Sequence, residues 1–179
     1  MDPDIIILKQ RALEGIVISV QETIKKSESY GTLYGKYKEG KDNSVKWIVE
    51  FVLPNQLVKR CGKSIIYERK KDIERAEYFE FKDKVLGTFH SHIPVREEEG
   101  LSKLSKEDKK DMEHNRIDLL IGIKRIKKEG IIKENPYLIS WYPRDNGQIY
   151  RADMKGYYLN KRMRRAILKA PKDIFKVSK

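Results

Sequence analysis

A chain of 179 residues, 39% of them apolar, is long enough for one domain whose core buries roughly 70% of the unfolded chain's surface, and too apolar for a disordered polymer. Charged residues make up 37%, and 39 basic against 27 acidic side chains leave a net charge of +12. That balance suits an acidic partner, nucleic acid or an acidic protein surface; a solvated Lys-rich surface also accounts for it, because the lysines are spread out and no known nucleic-acid motif accompanies them. The weight of Lys, Glu and Ile resembles proteins of heat-loving microbes.

Taken in chain order, residues 1–7 hold a short apolar patch without the charged region of a signal peptide. No apolar run of about 18 residues follows, so a cytoplasmic, soluble protein with no membrane partner is expected. Residues 5–7 read as a short strand and residues 9–26 as a helix. In that helix Leu13, Ile16, Val17, Val20 and Ile24 recur at helical spacing, and Lys25 and Lys26 suit the negative end of its dipole. Residues 30–37 and 47–53 read as a hairpin turning through Gly40, Asp42 and Asn43, ended by Pro54 and Asn55. Residues 56–84 carry the weakest pattern, with a strand suggested at 65–67 and a short helix at 72–78. Cys61 is the one cysteine, which excludes an internal disulfide; without a nearby Cys or His it reads as a structural thiol.

Residues 85–92 read as a strand. Residues 93–104 form a long loop with an acidic run, Glu97 to Glu99, which is either a solvated cluster or a group that reaches a metal or a basic substrate segment. Residues 105–115 read as a polar helix, 118–123 as a buried strand, and 137–142 and 148–151 as further strands. From about residue 155 the chain turns basic and helical in pattern; Tyr157, Tyr158, Lys161, Arg162, Arg164 and Arg165 there either cap the domain or contact nucleic acid or an acidic protein. No internal repeat is visible. The whole, 1–179, reads as a single α/β (α+β) domain: a mixed, curved β-sheet flanked by helices.

The chemistry gathers around His90-Ser91-His92, at the end of the strand over 85–92. In an extended strand, side chains two apart share a face. Two imidazoles on one face can converge on a cation, and zinc (Zn2+) suits them. A catalytic zinc site needs a third protein ligand and leaves a fourth position for water, with a carboxylate outside the shell as base. Downstream, Ser105-Lys106-Glu107-Asp108 fits a helix start: Ser105 as N-cap, Asp108 satisfying backbone donors. The cap would also fix where the first turn presents Asp108, so cap and ligand readings are compatible. Asp111, one turn on, is a fallback ligand, and His114 reads as a surface residue. Upstream, Glu28 stands at a helix-to-strand junction, with Gly31 and Gly35 following.

In combination these residues resemble the JAMM metalloprotease family, the catalytic branch of the MPN domains, with a cytidine-deaminase-like fold. That family has a Glu before a Gly-containing strand, then His-x-His, then Ser-x-x-Asp; here these are Glu28 with Gly31, His90 and His92, and Ser105 with Asp108. The resemblance extends loosely over residues 5–142 and leaves the basic segment after Tyr150 outside it. It implies that His90, His92 and Asp108 bind zinc, that Glu28 takes the proton of the attacking water and returns it to the leaving amine, and that Ser105 steadies the oxyanion. Two departures stand out: residues 93–104 make twelve positions where the family usually has seven, and Ile93 separates His92 from Pro94. Five extra loop residues cost well under about 1 kcal/mol, so the metal site tolerates them, while the groove beside it changes shape.

The expectation is a zinc peptidase cleaving peptide or isopeptide bonds at the tail of a ubiquitin-like or sulfur-carrier-like modifier, of the single-domain archaeal or bacterial kind. An acidic modifier would suit the positive charge. Two rivals stand beside it: a non-catalytic MPN scaffold, and a nucleic-acid-associated protein like the RadC relatives that share this motif.

Overall fold

The computed structural model describes residues 4–24, 27–40, 44–54, 85–93, 103–112 and 115–171, apart from the side chains of Glu107 and Asp111. Among these the elements are β1 (Ile5–Leu8), α1 (Gln10–Thr23), β2 (Tyr30–Glu39), β3 (Val45–Pro54), β4 (Val85–His92), α2 (Lys106–Asp111), β5 (Arg116–Ile126), β6 (Ile139–Trp141), β7 (Arg144–Asp145), β8 (Gln148–Leu159) and β9 (Met163–Lys169). The features expected at 65–67 and 72–78, Lys25, Lys26, Cys61, Glu97 to Glu99 and His114 lie outside the described residues.

Seven strands close into a barrel in the order β5-β4-β2-β3-β1-β9-β8, with β8 returning to β5. β6 and β7 pair with β8 beside the ring. Strands hold 57% of the described residues, which overturns the α/β sheet with flanking helices expected from the sequence. The error lies mainly after residue 155. The expected basic helix is the second half of β8 and then β9. Along β8 burial alternates residue by residue, with Tyr150, Ala152, Met154, Gly156 and Tyr158 inward. Ala and Gly add little to an apolar count, so the period of two was hidden beneath the basic residues between them. This strand closes the barrel, pairing antiparallel with β5 from Arg116↔Leu159 to Ile126↔Ile149.

The strands at 85–92 and 5–7 fall close to where periodicity put them, and β2 and β3 form the expected antiparallel hairpin. The helix expected over 105–115 is short: α2 covers Lys106–Asp111, and Met112 is already extended. The strand expected at 118–123 is longer at both ends.

The core joins strand residues such as Ile6, Val49, Leu33, Phe89, Leu119 and Met154 to the apolar stripe of α1, with Leu13, Ile16 and Val20 fully buried. Each such side chain contributes about 1.5–3 kcal/mol by leaving water. Gly15 lets α1 lie close to β3, since a Cβ there would come within 2.6 Å of Val52 Cγ2. A second cluster lies on the other face of β5, where Leu104 and Met112, flanking α2, cover Leu120. Among the described residues no helix is long and apolar enough to cross a membrane.

Candidate metal centre

β4 and β5 run parallel, with Thr88 beside Asp118 and His90 beside Leu120. Gly87 makes that approach possible: its φ is +155°, and a Cβ would sit 1.8 Å from the Ile117 carbonyl oxygen. Beyond it, Phe89 and Ser91 turn inward, and Phe89 joins the core. Thr88, His90 and His92 therefore share the outer face, as strand alternation requires. The two imidazole rings lie 5.1 Å apart, tilted by 58°.

α2 brings the third group. Its start is a complete capping box: Asp108 N–H donates to Ser105 Oγ at 3.0 Å, and Ser105 N–H donates to Asp108 Oδ2 at 2.6 Å. The cap orients the carboxylate toward β4. Asp108 Oδ1 lies 3.6 Å from His90 Nε2, and Oδ2 lies 3.2 Å from His92 Nε2. Leu104 and Met112 hold this segment down on Leu120. The capping carboxylate thus also faces both histidines.

His90, His92 and Asp108 form a group whose ligand atoms all lie within 4.8 Å of one another. Tetrahedral ligands at zinc–ligand distances of about 2.0–2.2 Å are separated by about 3.3–3.6 Å, which includes the 3.6 Å His90–Asp108 spacing and lies just above the 3.2 Å His92–Asp108 one. His90 Nε2 is buried without a hydrogen-bond partner. A buried bare nitrogen is costly, and a cation would satisfy it. With side chains 14–20% exposed, the group is shielded yet reachable. These residues could hold a metal ion, and two imidazoles with one carboxylate are a donor set that first-row metals accept.

Charge couples the three tightly. Burial opposes a proton on His90, but Asp118 and Asp108 outweigh it and push the imidazole up to about 10. Burial alone would raise Asp108; His90 and His92 instead hold its carboxyl well below the usual range.

Glu28 stands on the short link between α1 and β2, exposed, immediately before Ser29. Ser29 is locked to β4: Ser91 N–H donates to the Ser29 carbonyl at 2.9 Å, and Ser29 N–H donates to Ser91 Oγ at 2.7 Å. Tyr30 pairs with His90, so this bonding extends the contact with β4 one residue further, to Ser29, with Glu28 next in the chain. The serine between the two histidines thus anchors the link that carries Glu28.

Asp118 received no role from the sequence. It is 4% exposed, with Oδ1 3.3 Å from His90 Nδ1 and accepting from Thr88 Oγ1 at 3.1 Å. The available signal was a single acid inside an otherwise apolar run. Of the fallback candidates, the side chain of Asp111 and all of His114 lie outside the described residues. Ile93, the residue that separates His92 from Pro94, is buried in the core.

Neither a scan of protein-family models nor a search of curated proteins finds a match for this chain.

Proposed function

We propose that the chain is a zinc-dependent peptidase with chemistry of the JAMM type, carried on a closed barrel. The observation behind this reading is the convergence of His90, His92 and Asp108 from two successive elements, β4 and α2, onto one shielded point. Held there, zinc would lower the pKa of a water from 15.7 to about 7 and polarise a carbonyl.

The remaining work falls to the chain. Glu28, exposed on the link that Ser91 anchors, takes the proton of the attacking water and hands it to the leaving amine. Ser105 Oγ uses a lone pair to accept from Asp108 N–H, which leaves its own proton to donate to the oxyanion. The substrate class we propose is the C-terminal tail of a ubiquitin-like modifier, free or joined to lysine; its extended chain would approach over the outer face of β4. The net charge of +12 favours an acidic modifier.

Metal analysis of the purified chain comes first: about one zinc per chain is expected, and less than about half after gentle purification counts against the site. A modifier–lysine conjugate is then incubated with the protein, with and without chelator. Cleavage that continues unchanged in Glu28→Ala would sink the mechanism.

A further inference from the structure

His90 faces a carboxylate on each side. Asp108 lies toward Nε2 and Asp118 toward Nδ1. Asp118 stands in β5 beside Ile117, Leu119 and Leu120, all essentially buried. A carboxylate in such a place is expensive unless its oxygens are occupied, and the partners it has are Thr88 and His90. Both come from β4, and the parallel register that sets Thr88 opposite Asp118 depends on the close approach at Gly87.

We propose that Asp118 is a positioning residue for His90, fixing the proton on Nδ1 and leaving the Nε2 lone pair directed at the point shared with His92 and Asp108. The inference rests on the metal reading above. An ionised carboxylate only accepts, so the imidazole nitrogen facing it carries the hydrogen, and the opposite nitrogen of the neutral ring is bare. In the neutral ring Nε2 is that nitrogen: it is buried, has no hydrogen-bond partner, and its 3.6 Å to Asp108 Oδ1 is too long for one. Thr88 donates to the same Asp118 oxygen, Oδ1, that faces Nδ1 and so ties that oxygen to β4. Partners of this kind, behind a metal-binding histidine, govern affinity as well as orientation.

The test uses the full chain labelled with 15N-histidine, titrated with zinc against a chromophoric chelator, as parent, Asp118→Asn and Thr88→Val. Asparagine keeps the shape but can present an N–H to Nδ1, which favours the tautomer with Nε2 blocked. Zinc affinity should fall about 10–100-fold in Asp118→Asn and less in Thr88→Val. In zinc-loaded parent, the His90 Nδ1 proton should be visible and slow to exchange, and it should shift or vanish in Asp118→Asn. A merely structural role would leave that resonance in place in any variant that still binds zinc. Affinity within threefold of the parent with an unchanged Nδ1 signal overturns the proposal. If Asp118→Asn does not fold, Thr88→Val decides: an unmoved Nδ1 signal and unmoved affinity overturn it. If the parent itself takes up no zinc, the metal reading has failed, which is a distinct outcome.

Discussion

The inner and outer faces of β4 and β5 are built from the same two strands and do different work. Inward, Phe89, Ile117, Leu119 and Ile121 join a core that any apolar set of similar volume could form. Outward, Thr88, His90, His92 and Asp118 form a polar constellation with defined distances. Leu120 is the exception, an apolar residue on the outer face, buried by Leu104 and Met112 from the segment that carries Asp108. The contrast separates stability from chemistry: the inner face sets where the strands lie, and the outer face uses that placement.

Substitution of Glu28 should therefore change rate and spare the fold. Glu28→Gln is expected to lower turnover by about 10²–10⁴-fold, the range for removing a general base, with zinc content and melting temperature unchanged. Glu28 is exposed, so loss of folding in that variant would break the division between the faces. On the proposed mechanism Ser105→Ala should remove both a donor to the oxyanion, costing about 10²–10³-fold in rate, and the cap of α2, costing about 1 kcal/mol. Ser105→Gly costs the cap only a few tenths of a kcal/mol and supplies no donor, so comparing the two by denaturation and by turnover separates the roles.

A pair of neighbouring leucines sharpens the comparison. Leu119 and Leu120 are both fully buried but point to opposite faces. Leu119→Ala should cost about 2–5 kcal/mol of stability and leave zinc affinity within about threefold. Leu120→Ala should cost less stability, because its cluster is smaller, and weaken zinc binding more, because it loosens the seat of the Asp108 segment. Equal effects on zinc from the two variants would remove the distinction between the faces.

The sequence shows these two faces unequally. His90 and His92 are legible because a strand's period of two is short and local, and Ser105 with Asp108 because a capping box spans one helical turn. Their convergence is a property of the barrel and of the Leu104–Met112–Leu120 contact, which no local pattern carries. Asp118 hid in plain view: Leu120 is buried by a separate segment, so β5 reads as apolar on both faces and its one acid looks like a strand end. The barrel itself escaped notice because closure depends on β8, whose inward positions include Ala152 and Gly156. The basic residues from about Lys155 onward suggested a helix instead.

The smallest effect expected is a difference of sign. In the metal-free protein, His90 is raised from 6.5 to about 10. A raised pKa contributes stability that is fully present below the unfolded value and is lost as pH rises through the folded one. Stability of the metal-free chain should therefore decline from about pH 6.5 toward pH 10. Asp108 is shifted the other way: its contribution is present above its ordinary value of 3.8 and is lost as pH falls below that. Zinc bound as proposed should reverse the basic limb. A cation at Nε2 competes with the proton there, so affinity rises over the interval in which the metal-free protein weakens. Denaturation of metal-free and zinc-saturated protein between pH 6 and pH 10 should give curves that diverge with rising pH. Parallel curves would mean that the proton on His90 and the metal do not share a site, and the outer face would then be a buried ion-pair network whose charges serve the fold alone.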